Sequence, residues 1–119
     1  MKGTYLLLIQ VKKNFVTKIG SLGKIRFEKG IYVYVGSALN CLEKRVERHK
    51  KMSQGIGVKH WHIDYLLSQP QVRLLDIYYK EGNKREECKT AKRFAKFAEG
   101  VKGFGCSDCR CESHLFYLS

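Results

Sequence analysis

A run of β-branched and aromatic residues bounded by glycines most constrains the fold of this chain. Residues 31–35 read Ile-Tyr-Val-Tyr-Val, which is the composition of a β-strand. Residues 40–52 combine spaced apolar side chains with many charged ones and predict a helix, with Asn40 as its N-cap. A tight turn at Gly36-Ser37 is expected to join the two. The pattern predicts a strand, a turn and a helix at the centre of the fold.

The remaining sequence alternates between short strands and helices. The predicted strands are residues 3–11, 14–19, 24–27, 31–35, 72–79 and 115–118, and the predicted helices are 40–52, 60–67 and 85–99. The strand at 3–11 is expected to be central, and the first four strands predict an antiparallel meander. Residues 91–98 carry an apolar stripe at helical spacing. We predict one α+β domain over residues 1–119, with a small, mostly antiparallel β-sheet flanked by helices.

The charge of the chain indicates a polyanionic partner. Lysine and arginine number 23 against 11 acidic residues, a net charge of +12 over 119 residues. We interpret this excess as a nucleic-acid-binding surface. The alternative is a generally basic surface of the kind found in proteins from hot or ion-rich habitats.

Two features of the sequence bear on the compartment. No segment approaches the ~20 consecutive apolar residues of a membrane span, so no membrane association is expected. The N-terminal apolar run does not resemble a secretory signal, and the five cysteines are an odd number. We therefore predict a cytoplasmic protein.

Several polar side chains are expected to converge where the strand meets the helix. Tyr32 and Tyr34 share one face of the predicted strand, because side chains alternate with period two. Arg45 and His49 are four residues apart and are neighbours on the surface of the predicted helix. Taken alone, Tyr5 and Tyr34 would pack the sheet, and Arg45 with His49 would form a solvated helix face.

Two glycine-tyrosine motifs make the chain resemble the GIY-YIG nucleases. The two motifs are Gly3-Thr4-Tyr5, which opens the first strand, and Tyr34-Val35-Gly36, which ends the next core strand. The literal Gly30-Ile31-Tyr32 does not fit, because it lies on the same strand as Tyr34, whereas the two family motifs lie on neighbouring strands. The chain is also similar to one small branch of the family, in WHIDYL (residues 61–66) and in GFGCSDCRCESHL (residues 103–115).

Further residues match the family on its helices. Arg45 and His49 match the arginine and the following histidine of its first helix. Glu87 matches the glutamate of a later helix, and the neighbouring Glu86 is the alternative. The resemblance implies a metal-dependent endonuclease that hydrolyses DNA phosphodiester bonds. Members of the small branch occur alone or fused to a base-excision repair glycosylase, which implies a role in DNA repair and a repair protein as partner.

The resemblance also implies chemical roles for these residues. Glu87 would hold Mg²⁺ or Mn²⁺, hard cations that prefer oxygen ligands. Tyr5 or Tyr34 would be the general base that activates water. Because an unperturbed tyrosine titrates near ~10, this role needs a lowered pKa, which Arg45 and the metal are expected to supply.

The other implied roles concern the phosphate. Arg45 would clamp its non-bridging oxygens, and His49 would relay a proton or bind phosphate. Ser37 and His62 would contact the substrate, although a structural histidine is the alternative for His62. Two other functions remain open, namely a non-catalytic nucleic-acid-binding module on the same fold and a zinc-stapled protein-interaction domain.

The tail of the chain carries Cys106, Cys109, Cys111 and His114 in the pattern C-x2-C-x-C-x2-H. Four soft ligands in so short a segment are suited to structural Zn²⁺. The gap between Cys109 and Cys111 is tighter than in common zinc motifs, so we favour buried thiols, with His114 bonded to the backbone. A further alternative places Asp108 and His114 at the active cleft.

Overall fold

The computed structural model describes residues 3–38, 41–82, 86–106 and 111–119. The strands in these ranges are β1 (Gly3–Val11), β2 (Phe15–Lys18), β3 (Lys24–Phe27), β4 (Gly30–Ala38), β5 (Val72–Glu81), β6 (Glu99–Gly100) and β7 (Leu115–Tyr117). The helices are α1 (Leu42–Ser53), α2 (His62–Leu67) and α3 (Glu87–Phe94), with a 3₁₀ turn at Gly20–Leu22. The predicted α+β class, with an antiparallel sheet flanked by helices, is confirmed.

The main sheet has five strands in the order β5-β1-β4-β7-β6, and all of its pairs are antiparallel. The apolar β1 lies between β4 and β5, as expected for a central strand. Alternation along β4 sends Tyr32 and Tyr34 to one face and Val33 and Val35 to the other. The tyrosine face packs on α1 and α2, whereas the valine face packs on α3 through Ala91. None of the helices within the described ranges is long and apolar enough to cross a bilayer.

The predicted meander is wrong, because β1 pairs directly with β4 from Gly3↔Ala38 to Val11↔Gly30. The strands β2 and β3 pair only with each other in this part of the chain and form a separate two-stranded sheet. Their side chains alternate between half-buried and exposed, and the buried Ile19 and Phe27 attach this hairpin to the core. The hairpin is therefore an insertion between two strands that are neighbours in the sheet.

The predicted turn at Gly36-Ser37 is also wrong. These two residues continue β4, because Gly36 pairs with Tyr5 and Ser37 pairs with Thr4. Helix α1 then begins at Leu42, after Cys41 in a left-handed conformation with φ of 54°. The predicted cap Asn40 lies outside the described residues.

The last predicted helix is shorter than expected. Helix α3 ends at Phe94 and not near residue 99, because Glu99 and Gly100 extend to pair with β7. Of the predicted apolar stripe, only Ala91 is fully buried. The helix predicted at 60–67 is confirmed as α2, and the predicted strands at 72–79 and 115–118 correspond to β5 and β7.

Candidate active site

A cleft of about 410 Å³ lies beside the start of β1 and the end of β4, which carry the two glycine-tyrosine motifs. Residues of α1, α2 and the start of α3 also line it. Among the described residues, its lining consists of Tyr5, Gly20, Ser21, Tyr34, Gly36, Ser37, Arg45, His60, Trp61, His62, Tyr65, Glu87 and Gly105. The structure therefore brings together six residues that the sequence singled out: Tyr5, Tyr34, Ser37, Arg45, His62 and Glu87. The seventh, His49, lies directly behind Tyr5.

Gly36 and Gly3, the glycines of the two motifs, allow close packing around the Tyr5 ring and between β1 and β5. A Cβ atom on Gly36 would lie 2.6 Å from Cε2 of the Tyr5 ring, which covers Gly36 from the paired strand. A Cβ atom on Gly3 would overlap the backbone carbonyl of Lys80 on β5. Both glycines are thus required by close contacts across the sheet.

Tyr5, which lines the cleft, and His49, which lies behind Tyr5, form a buried pair. The Tyr5 hydroxyl oxygen lies 2.8 Å from Nε2 of His49, whose side chain is 0% exposed. Burial lowers the pKa of His49 to about 4, so the imidazole is neutral at pH 7. The Nδ1 atom of His49 has no hydrogen-bond partner among the described residues, which further disfavours the imidazolium. The solvated helix face proposed as an alternative is therefore wrong for His49.

The expected lowering of the tyrosine pKa values is not found. Burial raises the pKa of Tyr5 to about 12, although the nearby guanidinium of Arg45 acts in the opposite direction. Burial likewise raises the pKa of Tyr34 well above its usual value, and the adjacent Tyr5 adds to this effect. Desolvation thus outweighs Arg45, and both side chains are neutral phenols at pH 7.

Arg45 is held at the edge of the cleft by two contacts. Its Nη1 donates a hydrogen bond of 3.1 Å to the backbone carbonyl of Ser37 at the end of β4. Its guanidinium carbon lies 4.3 Å from the centroid of the Trp61 ring, in cation–π contact. Trp61 was recognised from the sequence only as part of WHIDYL, and its contact with Arg45 was not predicted.

A buried ion pair fixes Trp61 in turn. Both carboxylate oxygens of Asp64 accept from the Arg48 guanidinium, at 2.8 and 2.9 Å. Asp64 also accepts the backbone N–H groups of His60 and Trp61 at the start of α2. Burial alone would raise the pKa of Asp64, but these hydrogen bonds hold it below its usual value. The pairing of Arg48 with Asp64 was not predicted from the sequence. The local signal that marks the start of this helix is an acidic residue three positions after Trp61.

His62 and Glu87 also line the cleft. Nδ1 of His62 accepts the backbone N–H of Gly105 at 2.9 Å, so the proton of the neutral ring is on Nε2. Burial lowers the pKa of His62 and favours this neutral form. Glu87, the first residue of α3, is half-buried and lines the cleft, whereas the alternative Glu86 is exposed.

The cysteines group differently from the predicted pattern. The ligand atoms of Cys88, Cys111 and His114 lie within 4.8 Å of one another, and Cys106 is not in this group. Cys109 and Asp108 lie outside the described residues. His114 is bonded to the backbone as expected, through Nδ1 and the Val35 carbonyl at 3.1 Å. His114 is not among the described residues that line the cleft. Cys88 was missed as a possible ligand because it lies far from the tail in sequence.

Comparison with known proteins identifies a family for almost the whole chain. No curated protein and no solved structure matches it. A family model matches residues 4–119 and describes a domain of unknown function, DUF123. The match spans both strands that carry Tyr5 and Tyr34, all three helices and the cysteine-containing tail. The chain therefore belongs to the DUF123 family.

Proposed function

We propose that this protein is a metal-dependent endonuclease that hydrolyses DNA phosphodiester bonds, with a site of the GIY-YIG type. The observation that carries the proposal is the convergence of Tyr5, Tyr34, Arg45 and Glu87 on one cleft, with His49 bonded to Tyr5 behind it. These residues come from two strands and two helices. Their side chains offer a cation, a carboxylate and a path for a proton, which hydrolysis of a phosphodiester requires.

The donors of the cleft fit a hard divalent cation. Mg²⁺ typically keeps several waters and takes only one or two protein carboxylates together with substrate phosphate oxygens. Glu87 is the only carboxylate among the described lining residues, which is sufficient for this mode of binding. Glu87 would therefore hold Mg²⁺ or Mn²⁺ next to the scissile phosphate. A cation bound there neutralises the charge that develops on the phosphate and on the leaving oxygen.

Arg45 is positioned to bind the phosphate itself. The contacts with Ser37 and Trp61 fix the orientation of its guanidinium, and Nη1 donates to the Ser37 carbonyl. The other N–H groups can form bidentate hydrogen bonds with two non-bridging oxygens. His62, which also lines the cleft, supplies a further donor through its Nε2–H.

Tyr5 and His49 provide a path for the proton of the attacking water. In the tautomer that carries its proton on Nδ1, neutral His49 accepts the Tyr5 hydroxyl through Nε2. A water at Tyr5 transfers its proton to the phenol oxygen while the phenol proton moves to Nε2 of His49. No free phenolate forms along this path, which agrees with a pKa of about 12 for Tyr5. The negative charge of a bound phosphate would favour the imidazolium that results.

A nucleic-acid-binding module without cleavage is the second candidate. The raised pKa values of Tyr5 and Tyr34 favour it, because neither side chain is an effective base by itself. The net charge of +12 serves both functions equally. The two candidates differ in their need for Glu87 and for a metal ion.

The test is cleavage of labelled single-stranded, duplex, flap, junction and abasic DNA, and of RNA, with Mg²⁺ or Mn²⁺. We expect Glu87→Ala to abolish cleavage and to retain DNA binding, because the carboxylate that holds the cation is lost. Glu86→Ala removes the exposed neighbouring carboxylate and is the matched control, which should cut at the wild-type rate.

Two outcomes would contradict the proposal. An unchanged cleavage rate in Glu87→Ala would remove Glu87 from the site. Binding that is tight and falls steeply with salt, without cleavage of any substrate, would establish the binding module instead. Cleavage of abasic DNA in preference to the intact duplex would support a role in repair.

A further inference from the structure

We propose that Cys88, Cys111 and His114 hold a structural Zn²⁺ at a site separate from the cleft. Their ligand atoms all lie within 4.8 Å of one another, although Cys88 precedes the other two by more than twenty positions in the chain. Two thiolates and an imidazole are ligands that zinc prefers and that Mg²⁺ and Mn²⁺ do not. The side chains of Cys88 and Cys111 are half-buried and that of His114 is buried, as in a structural site.

The spacing of the ligands is close to that of a tetrahedral site. The Sγ atom of Cys88 lies 4.0 Å from Nε2 of His114. With a Zn–S bond of about 2.3 Å and a Zn–N bond of about 2.0 Å, the same two atoms would be about 3.5 Å apart in tetrahedral coordination. Small rotations of the Cys88 side chain are sufficient to close this difference.

His114 is already oriented as a metal ligand. It is 1% exposed, and its Nδ1 forms a hydrogen bond of 3.1 Å with the backbone carbonyl of Val35. Since a carbonyl can only accept, the proton is on Nδ1, and the lone pair of Nε2 is directed towards Cys88. Histidines that bind metals usually donate their second nitrogen to a carbonyl or a carboxylate in this way. The backbone of His114 is fixed as well, because its N–H donates to Phe104 and its carbonyl accepts from Val35.

A fourth ligand is available in the tail. A closed structural site needs four protein ligands, and the tail contributes two further cysteines, Cys106 and Cys109. The Sγ atom of Cys106 lies 3.4 Å from the Phe104 carbonyl, and Cys109 lies outside the described residues. Of these two cysteines we assign the fourth position to Cys106, which lies within the described residues.

The site would join segments of the chain that are distant in sequence. Residues 101–106 and 111–114 contain neither a strand nor an α-helix. A metal shared by Cys88 and Cys111 ties this segment to the first turn of α3, and His114 extends the link to β4 through Val35. Because the unfolded chain does not hold a formed site, the free energy of metal binding adds to the stability of the folded chain.

The same cross-link would also affect the positions of two residues that line the cleft. Cys88 directly follows Glu87, and Gly105 of the tail lines the cleft and donates to His62 at 2.9 Å. The metal would therefore be a positioning element for Glu87 and His62. This consequence for cleavage rests on the proposed function, whereas the presence of zinc does not.

The first test measures metal in the wild-type protein, prepared without a polyhistidine tag and dialysed after growth with added zinc. We expect about one Zn²⁺ per chain by inductively coupled plasma mass spectrometry. Replacement by Co²⁺ should give the charge-transfer bands of thiolate ligands and the visible bands of tetrahedral cobalt. A zinc chelator should lower the Tm, and added Zn²⁺ but not Mg²⁺ should restore it. These measurements need no variant, so a misfolded variant cannot obscure them.

The second test uses cysteine variants. Cys88→Ser and Cys111→Ser should lose the metal, and Cys106→Ser should lose it too. Cys41→Ser is the matched control, because Cys41 is exposed and lies outside the cluster; it should retain the metal. Metal-free wild-type protein with a Tm that chelator leaves unchanged would overturn the site, as would full zinc content in Cys88→Ser. A site that binds zinc in a chain that cuts nothing would refute the proposed function alone.

Discussion

The buried His49 is expected to make the stability of the fold depend on pH. Its pKa is lowered from 6.5 to about 4, chiefly because burial disfavours the charged ring. The carboxylate of Asp64 opposes this shift, and the cations Arg45 and Arg48 add to it. The neutral ring also accepts or donates the hydrogen bond with Tyr5 at 2.8 Å. Acidification therefore charges a side chain that the folded structure keeps neutral.

The sign and size of the effect follow from these two pKa values. Between pH 6.5 and pH 4 the unfolded chain binds the proton and the folded chain does not, so the free energy of unfolding rises with pH in this window. The contribution is complete above the unfolded value and is lost as the pH falls towards the folded one. At 1.36 kcal/mol for each unit of pKa, the loss is about 2 kcal/mol at pH 5 and about 3 kcal/mol at pH 4.

Urea denaturation from about pH 7 to pH 4 measures this loss directly. We expect His49→Gln to be less stable than the wild type near neutral pH, because it disturbs the bond with Tyr5. Its free energy of unfolding should nevertheless fall by about 3 kcal/mol less over the same range, since glutamine does not titrate. His60→Gln changes an exposed histidine and should follow the wild-type profile. Parallel curves for the wild type and His49→Gln would refute the reasoning.

Two further predictions concern the Tyr5 ring and its hydroxyl. Gly36→Ala should destabilise the fold by about 1–3 kcal/mol in urea denaturation and should abolish cleavage, because the new Cβ would overlap the ring and hydroxyl of Tyr5; unchanged stability would contradict this packing. Tyr5→Phe retains the ring but removes the proton donor, so the single-turnover cleavage rate should fall by about 100-fold or more while DNA binding is unchanged. A wild-type rate in Tyr5→Phe would exclude the proton path through His49.

Local sequence patterns were sufficient to predict most of the elements. Alternation in residues 31–35 placed the tyrosines of β4 on one face and the valines on the other, because strand geometry alone determines this. Pairing between distant residues was not predictable in the same way. The predicted meander was wrong because β1 pairs with β4 across the inserted hairpin. The predicted end of α3 was wrong because Glu99 pairs with β7.

The sequence by itself determined which residues could meet at the cleft. The glycine-tyrosine motifs and the four-residue spacing of Arg45 and His49 depend only on neighbours along the chain, and the fold places them together as expected. The tertiary structure alone decided how those groups ionise and which other residues join them. Burial raised the pKa of Tyr5 against the effect of Arg45, and packing brought Cys88 to His114 from another part of the chain. Desolvation and long-range contacts depend on the folded arrangement of the whole domain, so no local pattern records them.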